Sequence, residues 1–196
     1  MEIMKTSIKA ILNNIETAQD FLDEKTIDEF EDIIIGANNV FVTGAGRSGL
    51  AAKAFAMRLM HLGLRAYVVG ETISPAINAD DCIVAISGSG ETNTIVSAAR
   101  ISKNRGAKVL ALTSYPESTL GQLADSYILV KGRTKKEVDD ENYMKRQIHG
   151  NYTSLTPLGT AFELTTLVFL DAIVSELMEK MEQTESDLKS RHTVLE

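Results

Sequence analysis

The sequence predicts an α/β fold in which helices cover both faces of a parallel β-sheet. Short runs such as 82–86 and 108–112 are apolar at successive positions, as expected of strands that are buried on both faces. Segments with helical spacing separate these runs, and parallel strands need crossovers of that kind. Loops rich in glycine and serine follow the first and the third strand, over 44–49 and 87–92. Because parallel strands with right-handed crossovers end at the same sheet edge, we expect both loops to meet there.

Two helices are predicted before the sheet, over about residues 1–37. The first, over 3–22, places apolar residues on one face at a spacing of three to four: Ile8, Ile11, Leu12, Ile15, Ala18 and Leu22. The second is predicted over 27–37, with Thr26 as its N-cap and Glu29 in position to complete a capping box. The chain is therefore expected to enter its first strand after residue 37.

Five strands then alternate with helices. The strands are predicted at 40–43, 66–69, 82–86, 108–112 and 127–130, and the helices between them at 50–62, 95–105 and 119–124. Gly63 and Gly106 end two of these helices, as glycine commonly does.

A polar stretch, a long helix and a tail make up the remainder of the chain. Residues 132–151 are charged and lack periodicity, which is typical of a mobile loop or lid. A long helix is predicted over about 157–181, and its high apolar content indicates burial, with another subunit as one candidate covering surface. The tail, 183–196, is polar, with room for one or more helical turns. We interpret residues 1–196 as a single domain whose terminal helices serve oligomer packing.

Composition and charge limit the classes of protein to which the chain can belong. Its 196 residues suit one well-cored domain, and 44% hydrophobic with 24% charged residues is ordinary for a globular protein. The net charge of −7 argues against a nucleic-acid partner and against binding to anionic membranes. We find no signal peptide and no run of about 18 apolar residues, so a cytoplasmic location is expected. The lone Cys82 lies in an apolar run and indicates a buried structural thiol.

The strongest functional signal is the loop Ser87-Gly88-Ser89-Gly90-Glu91-Thr92. It joins an apolar strand to a helix, so the unpaired N–H groups of the helix N-terminus are available at the loop. Glycines allow the backbone to approach an anion closely, and the three hydroxyls can donate to phosphate oxygens. The loop lacks Lys and Arg and does not match the spacing of an NTPase P-loop. It therefore predicts a small, singly phosphorylated ligand.

The other loop, GAGRSG at 44–49, has two interpretations. Its three glycines match the dinucleotide fingerprint between a strand and a helix, and Glu71 stands roughly where a ribose-binding acid is expected. Arg47 and Ser48, however, can bind a phosphate through charge and a hydroxyl. A dinucleotide would also not need the second, hydroxyl-rich loop. The sequence thus favours one phosphate held by both loops over an NAD site.

Together, the motifs at 44–49 and 87–92 resemble the sugar isomerase (SIS) domain family. Further segments narrow the resemblance to its 6-phospho-3-hexuloisomerases: 55–63 (FAMRLMHLG), 70–72 (GET), 157–163 (PLGTAFE) and Arg191-His192. The resemblance spans nearly all of residues 1–196. It implies a three-layer α-β-α sandwich with a five-stranded parallel, flavodoxin-like sheet, usually assembled as a homotetramer.

The same resemblance implies reversible conversion of D-arabino-hex-3-ulose 6-phosphate into fructose 6-phosphate, a step of the ribulose monophosphate pathway. That step serves formaldehyde fixation or the supply of pentose phosphate. Moving the carbonyl from C3 to C2 passes through an enediol, which requires a base at carbon and an acid/base partner or polarising donor at the oxygens. The reaction needs no metal or redox cofactor, and we expect none.

Candidate residues for these roles come from both loops and from the C-terminal part of the chain. Glu163 is the expected base, because it lies in the first turns of the long helix, which we expect to begin at the loop edge. His192 in the tail is expected to serve the oxygens or open the sugar ring, from its own or another subunit. Substrate binding is assigned to Arg47, Ser48, Ser87, Gly88, Ser89, Gly90, Glu91 and Thr92. Of these, Glu91 is expected to contribute only its backbone, since its carboxylate would repel the phosphate.

The other two histidines are given lesser roles. His61 lies thirteen residues beyond Ser48 on one predicted helix, hence about 20 Å from the phosphate end at ~1.5 Å per residue. It is expected to be structural unless it reaches the site of a neighbouring subunit. His149, in the polar stretch, is expected to take no part.

Two other functions stay open on the sequence alone. A non-catalytic sugar-phosphate sensor would keep the phosphate loops but would not need a buried acid, and it would usually carry a DNA-binding module for which this chain has no room. An isomerase of another sugar phosphate would keep both the loops and the acid.

Overall fold

The computed structural model describes residues 1–132, 156–157 and 159–194, and it has the α/β architecture expected from the sequence. Every strand begins and ends within one residue of its predicted bounds. The strands are β1 (Val40–Gly44), β2 (Ala66–Val68), β3 (Cys82–Ile86), β4 (Lys108–Thr113) and β5 (Ser126–Leu129). The helices are α1 (Glu2–Gln19), α2 (Glu24–Gly36), α3 (Arg47–His61), α4 (Asn93–Asn104), α5 (Thr119–Leu123), α6 (Thr160–Lys180) and α7 (Glu185–Ser190).

The five strands form one parallel sheet in the order β2-β1-β3-β4-β5. β1 and β3 pair along their full length, from Val40 opposite Cys82 to Gly44 opposite Ile86. After β1 the chain moves to one side, to β2, and then crosses to the other side for β3, β4 and β5. The strand order therefore reverses between β1 and β3, and this is where ligands bind in open sheets of the flavodoxin-like topology.

Two hydrophobic cores cover the sheet, one on each face. In β1, Val40 and Val42 contribute to the core formed with α2, α3 and α6, whereas Phe41 contributes to the core formed with α4 and α5. β3 alternates in the same way, with Val84 in the first core and Ile83 in the second. Because both faces are covered, successive strand residues are buried, which accounts for the continuous apolar runs. The predicted three-layer α-β-α sandwich is confirmed.

Helix ends differ from prediction more than strand ends do. α2 begins at Glu24 because the carboxylate of Asp23 accepts hydrogen bonds from both the N–H and the hydroxyl of Thr26. Thr26 as N-cap was therefore wrong, and Asp23 takes that position; the same two hydrogen bonds lower the pKa of Asp23. α3 begins at Arg47, three residues earlier than predicted, so Arg47 and Ser48 belong to its first turn. The mobile loop predicted for 132–151 lies outside the described residues after Gly132.

The long helix α6 packs against α3 and α1 and supplies much of one core. Its buried residues include Phe162, Phe169, Leu170, Ile173 and Leu177, so extensive burial of this helix is confirmed within a single chain. Gly159, with a φ of 87°, precedes its first turn. Neither α6 nor any other helix of the described ranges combines the length and the apolar character needed to cross a bilayer.

A partly buried ion cluster joins the C-terminal end of α6 to α2. Lys180 Nζ lies 2.8 Å from Asp28 Oδ1 and 2.9 Å from Glu31 Oε2. Glu31 is only 1% exposed, and its Oε1 has no hydrogen-bond partner among the described residues. Burial raises the pKa of Glu31, against the opposing effect of the Lys180 ammonium. Lys180 is therefore the cation that allows Glu31 to stay ionised inside the protein.

Lys180→Met is expected to lower the free energy of unfolding by about 3 kcal/mol at neutral pH, because it leaves a buried carboxylate without its cation. Since burial raises the pKa of Glu31, the loss should shrink as the pH falls through that raised pKa and the carboxyl becomes protonated. Urea denaturation at several pH values measures both effects.

The matched control is Lys25→Met, which breaks an exposed pair 3.9 Å long between Lys25 and Glu29. Exposed pairs contribute little, so this variant should change stability by less than about 1 kcal/mol. An equal loss in the two variants, or a loss for Lys180→Met that does not depend on pH, would contradict the role given to Lys180.

Candidate functional site

The two glycine-rich loops leave the sheet side by side. Gly44, the last residue of β1, lies opposite Ile86, the last residue of β3, and neighbouring strands are about 5 Å apart. The segments 45–49 and 87–92 therefore start from adjacent points at the switch in strand order. Their convergence at one edge, expected from the sequence, is confirmed by the sheet register.

The first loop holds the start of α3 tightly against the end of β1. A Cβ atom at Gly44 would lie 2.6 Å from the carbonyl carbon of Ser48, and one at Gly49 would lie 2.6 Å from the carbonyl oxygen of Gly44. Gly46 has a φ of 58° and stands at the N-cap, where no side chain caps α3. No side chain therefore competes at this cap for the first-turn amides of α3, including that of Ser48, which can act as donors to a ligand.

In the second loop, hydroxyl groups bond to one another across the turn. Ser87 Oγ and Thr92 Oγ1 are 2.9 Å apart, and the N–H of Glu91 donates to Ser89 Oγ at 3.3 Å. Thr92 is the N-cap of α4, but its side chain makes no capping hydrogen bond. The amides of the first turn of α4 therefore have no side-chain acceptor at this cap, and an anion could fill that place.

The carboxylate of Glu91 is engaged away from the loop. Glu91 Oε1 accepts a hydrogen bond of 2.8 Å from the N–H of Thr119, and Oε2 accepts one of 2.7 Å from its hydroxyl. Thr119 is the first residue of α5, so Glu91 binds the N-terminus of that helix. Its backbone remains the part of Glu91 that can contribute to the loop.

The end of β4 and the residues that follow it, 113–118, contact the second loop and support it. The N–H of Ser114 donates to the Gly88 carbonyl at 3.1 Å, and Thr113 Oγ1 lies 3.4 Å from the same oxygen. Gly90 has a φ of 67°, and a Cβ there would lie 1.8 Å from Ser118 Oγ. Sequence reasoning did not identify these supporting residues, although a third hydroxyl-rich stretch follows a strand at the same edge.

Glu163 lies beside the first loop and is bound to Arg47. Arg47 Nε donates a hydrogen bond to Glu163 Oε2, which forms an ion pair between the first turns of α3 and α6. The Glu163 side chain is 17% exposed, against 57% for Arg47. The structure therefore brings two of the predicted site residues into contact, and the carboxylate is the more buried partner.

Within one chain, His192 lies far from Glu163. Its ring stacks on that of His61, with centroids 4.8 Å apart, and Arg191 Nη1 donates to the His61 carbonyl at 2.9 Å. His61 is the last residue of the 15-residue helix α3, so this histidine pair lies about 20 Å from Arg47 along the helix. A catalytic role for His192 thus stays a prediction that depends on a second subunit, and His149 lies outside the described residues.

Acidic and thiol side chains elsewhere are engaged or buried. Glu71, considered above as a ribose ligand, accepts a hydrogen bond of 2.6 Å from Lys53 Nζ. Burial raises the pKa of the Cys82 thiol to about 12, so it is unreactive at neutral pH. In the part of the chain that the structure describes, no three or more His, Cys, Asp and Glu side chains are grouped to hold a metal ion.

Comparison with known proteins identifies a family and several relatives of the chain. The SIS domain profile matches residues 33–139. A 3-hexulose-6-phosphate isomerase of Bacillus subtilis is 37% identical over 195 residues, which cover 98% of this chain and 100% of that protein. A protein of Archaeoglobus fulgidus described as uncharacterized is 45% identical, with 96% of this chain and 98% of that protein covered.

A solved structure matches at the level of the fold as well as the sequence. The crystal structure of a Methanococcus jannaschii protein aligns with a TM-score of 0.79 and 33% identity, covering 96% of this chain and 98% of that one. That structure is described as inferring a molecular function of 3-hexulose-6-phosphate isomerase. The two proteins therefore share their fold over nearly their full lengths.

Proposed function

The chain belongs to the SIS domain family, and on that premise we propose that it is a 3-hexulose-6-phosphate isomerase. It would interconvert D-arabino-hex-3-ulose 6-phosphate and fructose 6-phosphate in the ribulose monophosphate pathway. The observation that carries the proposal is the position of Glu163, a largely buried carboxylate at the start of α6 and in contact with the first loop. A phosphate sensor needs no acid at this place, whereas an isomerase does.

The reaction needs two proton movements and no change in the redox state of the sugar as a whole. A base removes the proton from C2 of the 3-ulose, and the electron pair forms the 2,3-enediolate. The proton of the C2 hydroxyl is lost as the C3 oxygen is protonated, and a proton returns to C3. The products are a C2 carbonyl and a C3 hydroxyl, which is fructose 6-phosphate. General acid–base groups are sufficient for these steps.

The phosphate cradle that we propose consists of both loops. Amides from the first turns of α3 and α4 and the hydroxyls at 87–92 would surround the phosphate oxygens. Its members are Ser48, Ser87, Gly88, Ser89, Gly90, Thr92 and the backbone of Glu91. Arg47 shares the first turn of α3 with Ser48 and is paired with Glu163, which we assign as the base.

The subunits are proposed to form a homotetramer in the cytoplasm, in which His192 serves the sugar oxygens from a neighbouring chain. Exposed apolar side chains on α1, α3 and α6 support self-association: Ile3, Met4, Ile8, Leu12, Leu50, Met57 and Val168.

Light scattering should give four times the chain mass of 21.4 kDa. Mixed Glu163→Gln and His192→Gln subunits should regain activity if sites are shared. A monomeric mass would contradict the assembly and, with it, this role of His192.

A coupled assay tests the proposed activity. The 3-ulose 6-phosphate is generated enzymatically from ribulose 5-phosphate and formaldehyde, and fructose 6-phosphate is detected through glucose 6-phosphate and NADP reduction. The expected result is turnover that depends on the added chain. Arabinose 5-phosphate and sedoheptulose 7-phosphate serve as alternative substrates. Faster conversion of either would reassign the substrate, and binding without any turnover would favour a sensor.

A further inference from the structure

We propose that Arg47 positions Glu163 for proton transfer instead of binding the substrate phosphate, and that Glu163 Oε1 is the oxygen that accepts the proton from the substrate carbon. The inference rests on the proposed isomerase function, in which Glu163 is the base. It differs from the sequence-based assignment of Arg47 to substrate binding.

The hydrogen bond from Arg47 makes the two carboxylate oxygens of Glu163 inequivalent. Arg47 Nε donates to Oε2, so that oxygen is already occupied by a charge-assisted hydrogen bond. Oε1 lies on the other side of the carboxyl group, 3.1 Å from the place where a Cβ at Gly159 would stand. A side chain at Gly159 would crowd this oxygen. Among the described residues, the hydrogen bond and the ion pair of the Glu163 carboxylate both involve Oε2, which leaves Oε1 as the oxygen available to the substrate.

Burial explains why this carboxylate needs a cation. The Glu163 side chain is 17% exposed, so ionisation loses part of its hydration, while Arg47 at 57% exposure retains much of its own. A charged partner that is itself well hydrated stabilises the buried anion at little cost. The N-terminal end of α6 adds to this effect through its dipole.

The anchoring of Arg47 makes it suited to hold another group in place. Arg47 is the first residue of α3, and the contacts of Gly44 and Gly49 fix that turn against the end of β1. The same turn carries Ser48, which belongs to the proposed cradle. A phosphate bound to this turn therefore has a defined distance to Arg47, and through it to Glu163. The ion pair couples the position of the base to that of the ligand.

Arg47→Met tests the inference by separating turnover from binding. We expect kcat to fall about 30- to 100-fold while the dissociation constant for fructose 6-phosphate, measured by calorimetry, changes less than about threefold. Arg47→Ala should recover part of its kcat when guanidinium ions are added. In a Glu163→Gln background, the further loss of Arg47 should have no effect on the residual rate, because residues acting as one unit are not additive.

Lys53→Met is the matched control, since it removes another α3 cation from an exposed ion pair with Glu71. It should leave kcat and the dissociation constant unchanged. A tenfold weaker binding of fructose 6-phosphate in Arg47→Met, with kcat preserved, would overturn the inference. It would indicate that Arg47 binds the substrate phosphate. Additive losses in the double variant would overturn it as well. Failure of the proposed function is a different result, namely no turnover of the 3-ulose phosphate by the unaltered chain.

Discussion

Glu163→Gln is expected to lower kcat about a thousandfold, within the ~10²–10⁴ that a positioned general base contributes. The amide keeps the size of the side chain and can still accept a hydrogen bond from Arg47, but it cannot take a proton from carbon. The phosphate cradle is untouched, so the affinity for fructose 6-phosphate should change only a few-fold. Steady-state kinetics in the coupled assay and calorimetric binding measure the two effects separately.

Glu179→Gln is the appropriate control, because Glu179 is an exposed carboxylate near the other end of the same helix. It should behave like the unaltered protein in both measurements. If Glu163→Gln also turned over at nearly the original rate, another group would have to be the base. A large loss of affinity with kcat retained would instead place Glu163 among the ligand-binding groups.

The positions of the strands could be predicted because the signal for each is local. The run 82–86 is apolar at every position, and β3 has the same bounds. Once the strands are parallel, right-handed crossovers put both glycine-rich loops at one edge, whatever the details of side-chain packing. The convergence of loops about forty residues apart therefore follows from topology alone.

Helix ends were less predictable because two capping residues compete. Asp23 and Thr26 are both favourable N-caps, and they stand three residues apart. Asp23 takes the position because its carboxylate accepts two hydrogen bonds from Thr26. The sequence shows that both residues can cap a helix, but not which of them forms these hydrogen bonds.

The contacts within the site were the least predictable part. Arg47 and Glu163 are 116 residues apart, and topology places them at one edge without specifying that their side chains meet. The docking of the C-terminal tail, where Arg191 binds the His61 carbonyl and Gln183, has no periodic signal either. Such contacts depend on which conformations the side chains adopt, and the sequence pattern allows several for each side chain.

Gly90→Ala is expected to damage both the phosphate cradle and the fold. The residue has a φ of 67°, a conformation that costs an L-residue about 1–2 kcal/mol. The added Cβ would also stand 1.8 Å from Ser118 Oγ and 2.4 Å from Ser118 Cβ, and Ser118 is buried. Overpacking of this kind costs about 1–3 kcal/mol. We expect unfolding free energy to fall by about 3 kcal/mol and fructose 6-phosphate to bind at least tenfold more weakly.

A second substitution distinguishes the two causes. Ser118→Gly added to Gly90→Ala removes the conflict with Ser118 but not the backbone strain, so it should restore part of the stability and part of the affinity. Gly36→Ala is the control, because a Cβ there meets nothing within 4 Å and no positive φ is involved. Its stability should change by less than about 1 kcal/mol. The Gly90→Ala substitution would displace the amides that face the phosphate. If this variant nevertheless bound fructose 6-phosphate as tightly as the unaltered protein does, the ligand could not bind at this loop.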